Sequence, residues 1–109
     1  MLVIGHRGCR GLRVENTLTS FRHALEMGVD GIELDTHLTK DGQVVVYHDY
    51  RLNPDLTRTA KGIWLKKPGH LINAMSFDEI RSYKLGKINP STSYRHTFSD
   101  VEEAEDEPI

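Results

Sequence analysis

Apolar residues fall along this chain in short runs that end in charged groups. LVIG (2–5) is β-branched and stops at a loop rich in glycine and arginine, RGCRGLRVEN, which predicts a buried parallel strand followed by a functional loop. From Thr17 to Met27, Leu18, Phe21, Ala24 and Leu25 recur at helical spacing. Asn16 or Thr17 can cap the start of this helix, and Gly28 suits a left-handed stop. A strand is expected through VDGIELDTHL (29–38), a turn at Lys40-Asp41-Gly42, and a second extended segment at VVVYH (44–48). The first fifty residues therefore spell a βαβ unit with an added ribbon.

The second half is less regular. Residues 51–73 are interrupted by Pro54, Gly62, Pro68 and Gly69 and form a long excursion. At 75–86 a helix start is legible. Ser76 and Glu79 have capping-box spacing, Met75 and Ile80 can form a hydrophobic staple, and Gly86 can close the segment. Residues 87–109 suggest turns and an acidic run, expected to be a solvated or disordered end. Neither an internal repeat nor an interdomain linker is evident, so residues 1–109 make at most one domain, divided into a motif-bearing part (1–50) and an insertion-like part (51–109).

Charge changes this picture little. The formal net charge is −2, but residues 100–107, DVEEAEDE, carry six acids and no base. Residues 1–99 hold all 14 Lys and Arg against 10 acids, a mildly basic body that favours an anionic small molecule. There is no nucleic-acid stripe. A single cysteine, Cys9, cannot close an internal disulfide. No run approaches the ~20 apolar residues that span a bilayer. The chain opens on LVIG with no charged leader, so the cytoplasm is the expected compartment and stable membrane insertion is not.

The chemistry concentrates where the apolar runs end. Glu33 and Asp35 lie two apart and share one face of a strand, while Ile32 and Leu34 face the other way. Such a pair suits Ca²⁺ or Mg²⁺, whose ligands are oxygens. From spacing alone it suits still better two strand-end acids bonded to arginine or to loop amides. His6 and Arg7 close the first run, and His48 and Asp49 close the third. Two imidazoles can divide acid and base roles in one displacement, and a guanidinium offers a planar fork to phosphate. With a cation, the set has the parts of metal-assisted phosphoryl transfer. His37 shares the parity of Glu33 and Asp35 and lies either near them or in solvent. Trp64 either anchors the excursion or lines a head-group pocket.

HRG (6–8), ENT (15–17), EMGVDGIELD (26–35), TKDG (39–42) and VVYHD (45–49) closely resemble the glycerophosphodiester phosphodiesterases. The resemblance implies an α/β fold, the N-terminal portion of a TIM (β/α)₈ barrel of the phospholipase-C-like phosphodiesterase type. It also implies hydrolysis of glycerophosphodiesters to glycerol 3-phosphate and an alcohol with a divalent metal. By position, His6 and His48 match the family's acid/base pair, Arg7 its phosphate-contacting arginine, and Glu33 and Asp35 two metal-binding carboxylates. Asn16 would order the loop beneath the site, and Asp49 would orient a neighbour rather than ligate. Val14 stands where the family has proline. A whole barrel takes roughly 250 residues, and this chain ends at EDEPI, about where the third barrel strand would begin. A further glutamate ligand and a phosphate-contacting lysine would lie in the missing C-terminal portion. The competing expectation is a non-catalytic remnant or partner-binding piece of such an enzyme.

Overall fold

In the computed structural model, which describes residues 1–109, strand β1 (Ile4–His6) runs parallel to β2 (Gly31–Glu33), with Ile4 opposite Gly31, Gly5 opposite Ile32 and His6 opposite Glu33. Helix α1 (Leu18–Glu26) makes the crossover that a parallel pair requires. Thr17 is its cap, accepting the Ser20 amide at 3.1 Å. The helix lies close to the β1 loop because its buried face is small: Ser20 and Ala24 are buried, and the Ser20 hydroxyl accepts the Cys9 amide at 2.8 Å. A side chain at Gly5 would meet the Gly8 carbonyl oxygen at 2.2 Å, so only glycine fits there. Leu18 and Leu25, expected on the apolar face of α1, are exposed. Ala24 from that face is buried and Phe21 half-buried, while Leu18 and Leu25 at its edges point away from the seam and no second layer covers them.

The expected strand over 29–38 is broken after Glu33. Its far end, β3 (Thr36–Leu38), pairs antiparallel with β4 (Val44–Val46), with Thr36 opposite Val46. Gly42, at φ 81°, takes the left-handed position of the connecting turn. The Asp41 carboxylate accepts the Phe77 amide at 3.0 Å and so joins this turn to α2 (Phe77–Arg81). Both halves of the Ser76–Glu79 capping box form.

The core lies under the second half. Val45, Tyr47, Leu52, Ile72, Met75, Ile80 and Leu85 form one cluster. Val14, Leu56, Ile88, Tyr94 and Val101 form the other. Tyr94 belongs to helix α3 (Ser93–Thr97), a segment expected only to turn.

The acidic end is not a loose tail. Strand β5 (Lys84–Leu85) pairs antiparallel with β6 (Glu107–Pro108), and Ile109 packs on the larger cluster. Asp106 bridges Arg58 and Lys84. The Glu107 carboxylate accepts the Leu18 amide at 2.8 Å and the Thr19 amide at 3.2 Å, placing negative charge at the N-terminus of α1, where the unpaired amides and the helix dipole favour it. No helix is long and apolar enough to cross a membrane.

Candidate active site

The β1–β2 register places His6 beside Glu33, with Nε2 3.8 Å from Oε1. The chain then turns sharply. Arg7 and Asn16 are the only non-glycine residues with positive φ, at 52° and 54°, and the Asn16 amide donates to the Arg7 carbonyl at 2.9 Å. Two neighbouring residues held in a sparsely populated conformation mark a segment whose surroundings dictate its shape. The Arg7 amide donates to Glu33 Oε1 at 3.1 Å. Its guanidinium lies between two acids: Nη1 donates to Glu15 Oε2 at 2.8 Å, and Nε stands 3.6 Å from Asp35 Oδ2, beyond hydrogen-bond range. Nε is therefore buried with no partner.

Asp35 also accepts Asn16 Nδ2–H at 3.1 Å. The other amide atom, Asn16 Oδ1, is buried and unpartnered. An orphaned acceptor and an orphaned donor flank the same carboxylate. Each leaves a polar group short of a bond that a buried site normally supplies.

β4 reaches this corner because the Tyr47 amide donates to the Asp35 carbonyl at 3.0 Å. His48 follows, its Nδ1 2.6 Å from Asp49 Oδ1. The His37 ring turns back toward it, with Nε2 3.0 Å from the His48 carbonyl oxygen. His48, Asp49, Asp35, His37, Tyr50 and Leu34 line an open cavity of about 530 Å³, a volume that suits a small ligand. A second cavity of about 540 Å³ lies between α1, β4 and the C-terminal strand, and none of His6, Arg7, Glu33, Asp35 or His48 lines it. Thus His6, Arg7, Asn16, Glu33 and Asp35 are joined by direct contacts. His48 and Asp49 join them through the cavity shared with Asp35.

Glu15 was not foreseen. It is only 6 % exposed, accepts from Arg7 Nη1 and from Tyr94 Oη at 2.8 Å, and forms an ion pair with Arg10, whose Nε lies 3.0 Å away. Burial, and then the Glu15 charge, push the Tyr94 hydroxyl well above the usual phenol range, so it stays a donor to the carboxylate. The sequence signal for Glu15 is its place at the head of the ENT motif, in an arginine-rich loop directly before Asn16. Tyr94 lies 79 residues further along and gave none.

Glu33 accepts a loop amide, that of Arg7, while Asp35 accepts the Asn16 side chain and lies within ion-pair distance of the Arg7 guanidinium. They also keep exposed oxygen surface, with side chains 42 % and 25 % accessible. No three His, Cys, Asp or Glu side chains form a group that could hold a metal ion. The donor set is nevertheless all oxygen, and Asn16 Oδ1 adds an unused carbonyl beside Asp35. That chemistry fits a hard divalent cation, with ligands still to be supplied by water or substrate.

Residues 6–108 match the model of the glycerophosphoryl diester phosphodiesterase family. A glycerophosphodiester phosphodiesterase of Bacillus altitudinis is 51% identical over 61 residues, covering 56% of this chain and 24% of its own. Human lysophospholipase D GDPD1 is 41% identical over 88 residues, covering 81% and 24%. Among solved structures, one from Silicibacter pomeroyi assigned to the glycerophosphoryl diester phosphodiesterases superposes with a TM-score of 0.93 at 36% identity, over 99% of this chain and 37% of that one. A phosphodiesterase of Oleispira antarctica in complex with the product sn-glycerol-3-phosphate superposes with a TM-score of 0.63 at 27% identity, over 99% and 36%. The chain thus spans about a quarter to just over a third of the length of these relatives. Its α/β fold corresponds to a portion of their TIM-barrel architecture.

Proposed function

Because the chain belongs to the glycerophosphoryl diester phosphodiesterase family, we propose that its β1–β2 corner is the acid/base and phosphate-gripping part of a glycerophosphodiester hydrolase site. The observation that carries this reading is Arg7, clamped by Glu15 with its Nε–H buried and unpartnered beside Asp35. A phosphate oxygen supplies the acceptor that this donor lacks. The product bound to the Oleispira relative, sn-glycerol-3-phosphate, has such an oxygen.

In this reading the glycerol 2-hydroxyl attacks phosphorus while one of His6 and His48 takes its proton. The bond to the alcohol breaks, and the other histidine protonates the departing oxygen. Water then opens the cyclic phosphate with the histidine roles reversed, leaving glycerol 3-phosphate. Glu33 and Asp35, with Asn16 Oδ1 beside them, would hold Ca²⁺ or Mg²⁺, which neutralises charge on the phosphoryl oxygens when bound. Asn16 and Asp49 act by orientation. The isolated chain is expected to have little or no activity, because two carboxylates make an incomplete cation shell and apolar surface near β1 stays bare.

The test is a titration of sn-glycerol 3-phosphate, with Mg²⁺ or Ca²⁺ present, into chain labelled with ¹⁵N at arginine. The Arg7 Nε resonance should move while that of the exposed Arg22 stays in place. An Arg7 signal that stays fixed while the ligand is saturating would remove the reading.

A further inference from the structure

We infer that Asn53, in the excursion that follows β4, is a positioning residue for His48, acting through Asp49 to hold the imidazole in its Nδ1–H form. Asn53 Nδ2–H donates to Asp49 Oδ2 at 2.9 Å, and Asp49 Oδ1 lies 2.6 Å from His48 Nδ1. A carboxylate only accepts, so the short contact places the proton on Nδ1 and leaves Nε2 as the atom available to a ligand. Asp49 is 41 % accessible. A carboxylate so open to water would rotate away from the ring if its second oxygen were free. The Asn53 donor removes that freedom.

Asn53 is itself held from two further sides. Its amide donates to the Tyr47 hydroxyl at 2.6 Å, and its Oδ1 accepts the Asp55 amide at 2.8 Å. The second bond fixes which way the side-chain amide points: with Oδ1 turned to Asp55, Nδ2 must face Asp49. Tyr47 is anchored in turn, its hydroxyl 2.7 Å from the Thr57 hydroxyl with both residues buried. Burial drives the Tyr47 phenol well above its usual range, so it remains a neutral hydroxyl across the working pH. A continuous chain of hydrogen bonds therefore runs from the core at Tyr47 and Thr57, through Asn53 and Asp49, to the His48 ring. The segment that looked like an irregular insertion carries the link that ties a site histidine to the core.

The functional weight of the inference rests on His48 being an acid/base group, but its test needs neither substrate, metal nor turnover. In the 109-residue chain labelled with ¹⁵N at histidine, ring-nitrogen shifts at about pH 8, where imidazole is neutral, report the tautomer directly. The Nδ1–H form should dominate at His48. Both Asn53→Ala and Asn53→Asp should cut its share roughly twofold as the two tautomers equalise, with Asp49→Ala as the reference for full loss of the partner. Asn53→Asp keeps the acceptor for the Asp55 amide, loses the donor and sets a like charge against Asp49, so it decides the matter should the alanine variant not fold. A wild-type tautomer ratio in folded Asn53→Asp would overturn the inference. So would a wild-type chain in which His48 carries its proton on Nε2. The Arg7 titration responds to ligand alone, so either proposal can fail while the other stands.

Discussion

Thirteen apolar residues are fully buried, and only Val14 and Ala24 of them lie before residue 39; of the fourteen large apolar residues left exposed, ten lie there. The segment with His6, Arg7, Glu33 and Asp35 thus contributes almost nothing to the core. The segment with Leu52, Ile72 and Ile80 contributes most of the core and, apart from His48 and Asp49, none of the candidate site. Besides its own polar contacts, the site region is held by contacts reaching across from the packed region: Tyr94 on Glu15 and Glu107 on the start of α1. A parallel strand pair with one helix cannot cover both its faces. The strained Arg7–Asn16 loop, bonded within its own half to Glu33, Asp35 and Ser20, therefore gains from the other half the packed support that its own half lacks.

The sharpest way to break this comparison is at the joint. Glu15→Ala would leave Arg7 and Arg10 without their shared acid in a buried setting. Losing one partner of a buried ion pair costs on the order of 3–5 kcal/mol, measurable by urea unfolding. A loss no larger than that of a surface substitution would show that the two regions stand independently. Next comes the core itself. Ile80→Ala, at a fully buried position, should destabilise by about 2–5 kcal/mol. Its mirror is Ile4→Ala on the half-exposed strand β1, where a change within about 0.5 kcal/mol is expected. Comparable losses at the two positions would contradict the asymmetry.

A smaller effect should come from acid. The Arg58 guanidinium holds the Asp106 carboxyl below the usual range, and hydrogen bonds from Thr39 and Phe77 do the same for Asp41. Because the folded values are lowered, the stability these groups contribute is present above the ordinary carboxylate range. It is lost as pH falls through the lowered values. Asp55, raised by burial and by the charge of Asp49, works in the opposite sense and offsets part of the loss. The β5–β6 pairing should therefore loosen on acidification, read from the Ala104 amide that bonds to the Gly86 carbonyl. Asp106→Asn should flatten that pH response. An unchanged response would remove the ion pair from the account of the tail.

Much of the local structure was legible because its causes are local. Thr17 caps α1, Asp41-Gly42 turns the hairpin, and Ser76 with Glu79 closes a capping box, each within a few residues of its partner. The misses were contacts between distant residues. DVEEAEDE has the composition of a solvated end, and only the approach of Arg58, Lys84 and the α1 amides gives its acids partners. The apolar spacing of Leu18, Phe21, Ala24 and Leu25 predicted a buried stripe; Ala24 is buried, but the seam continues through Ser20 rather than Leu18 and Leu25, because small side chains let the helix approach the Gly5–Gly8 turn. In the candidate site, the strand-end residues were visible as motifs. Glu15, Tyr94 and Asn53 act through hydrogen bonds that no residue spacing announces.

The chemistry itself is tested most directly by incubating the chain with glycerophosphocholine and Mg²⁺ or Ca²⁺ and following the phosphorus resonances. The account predicts at most slow, metal-dependent release of glycerol 3-phosphate that disappears in His6→Ala and in His48→Ala. Release that persists undiminished in both variants would contradict it.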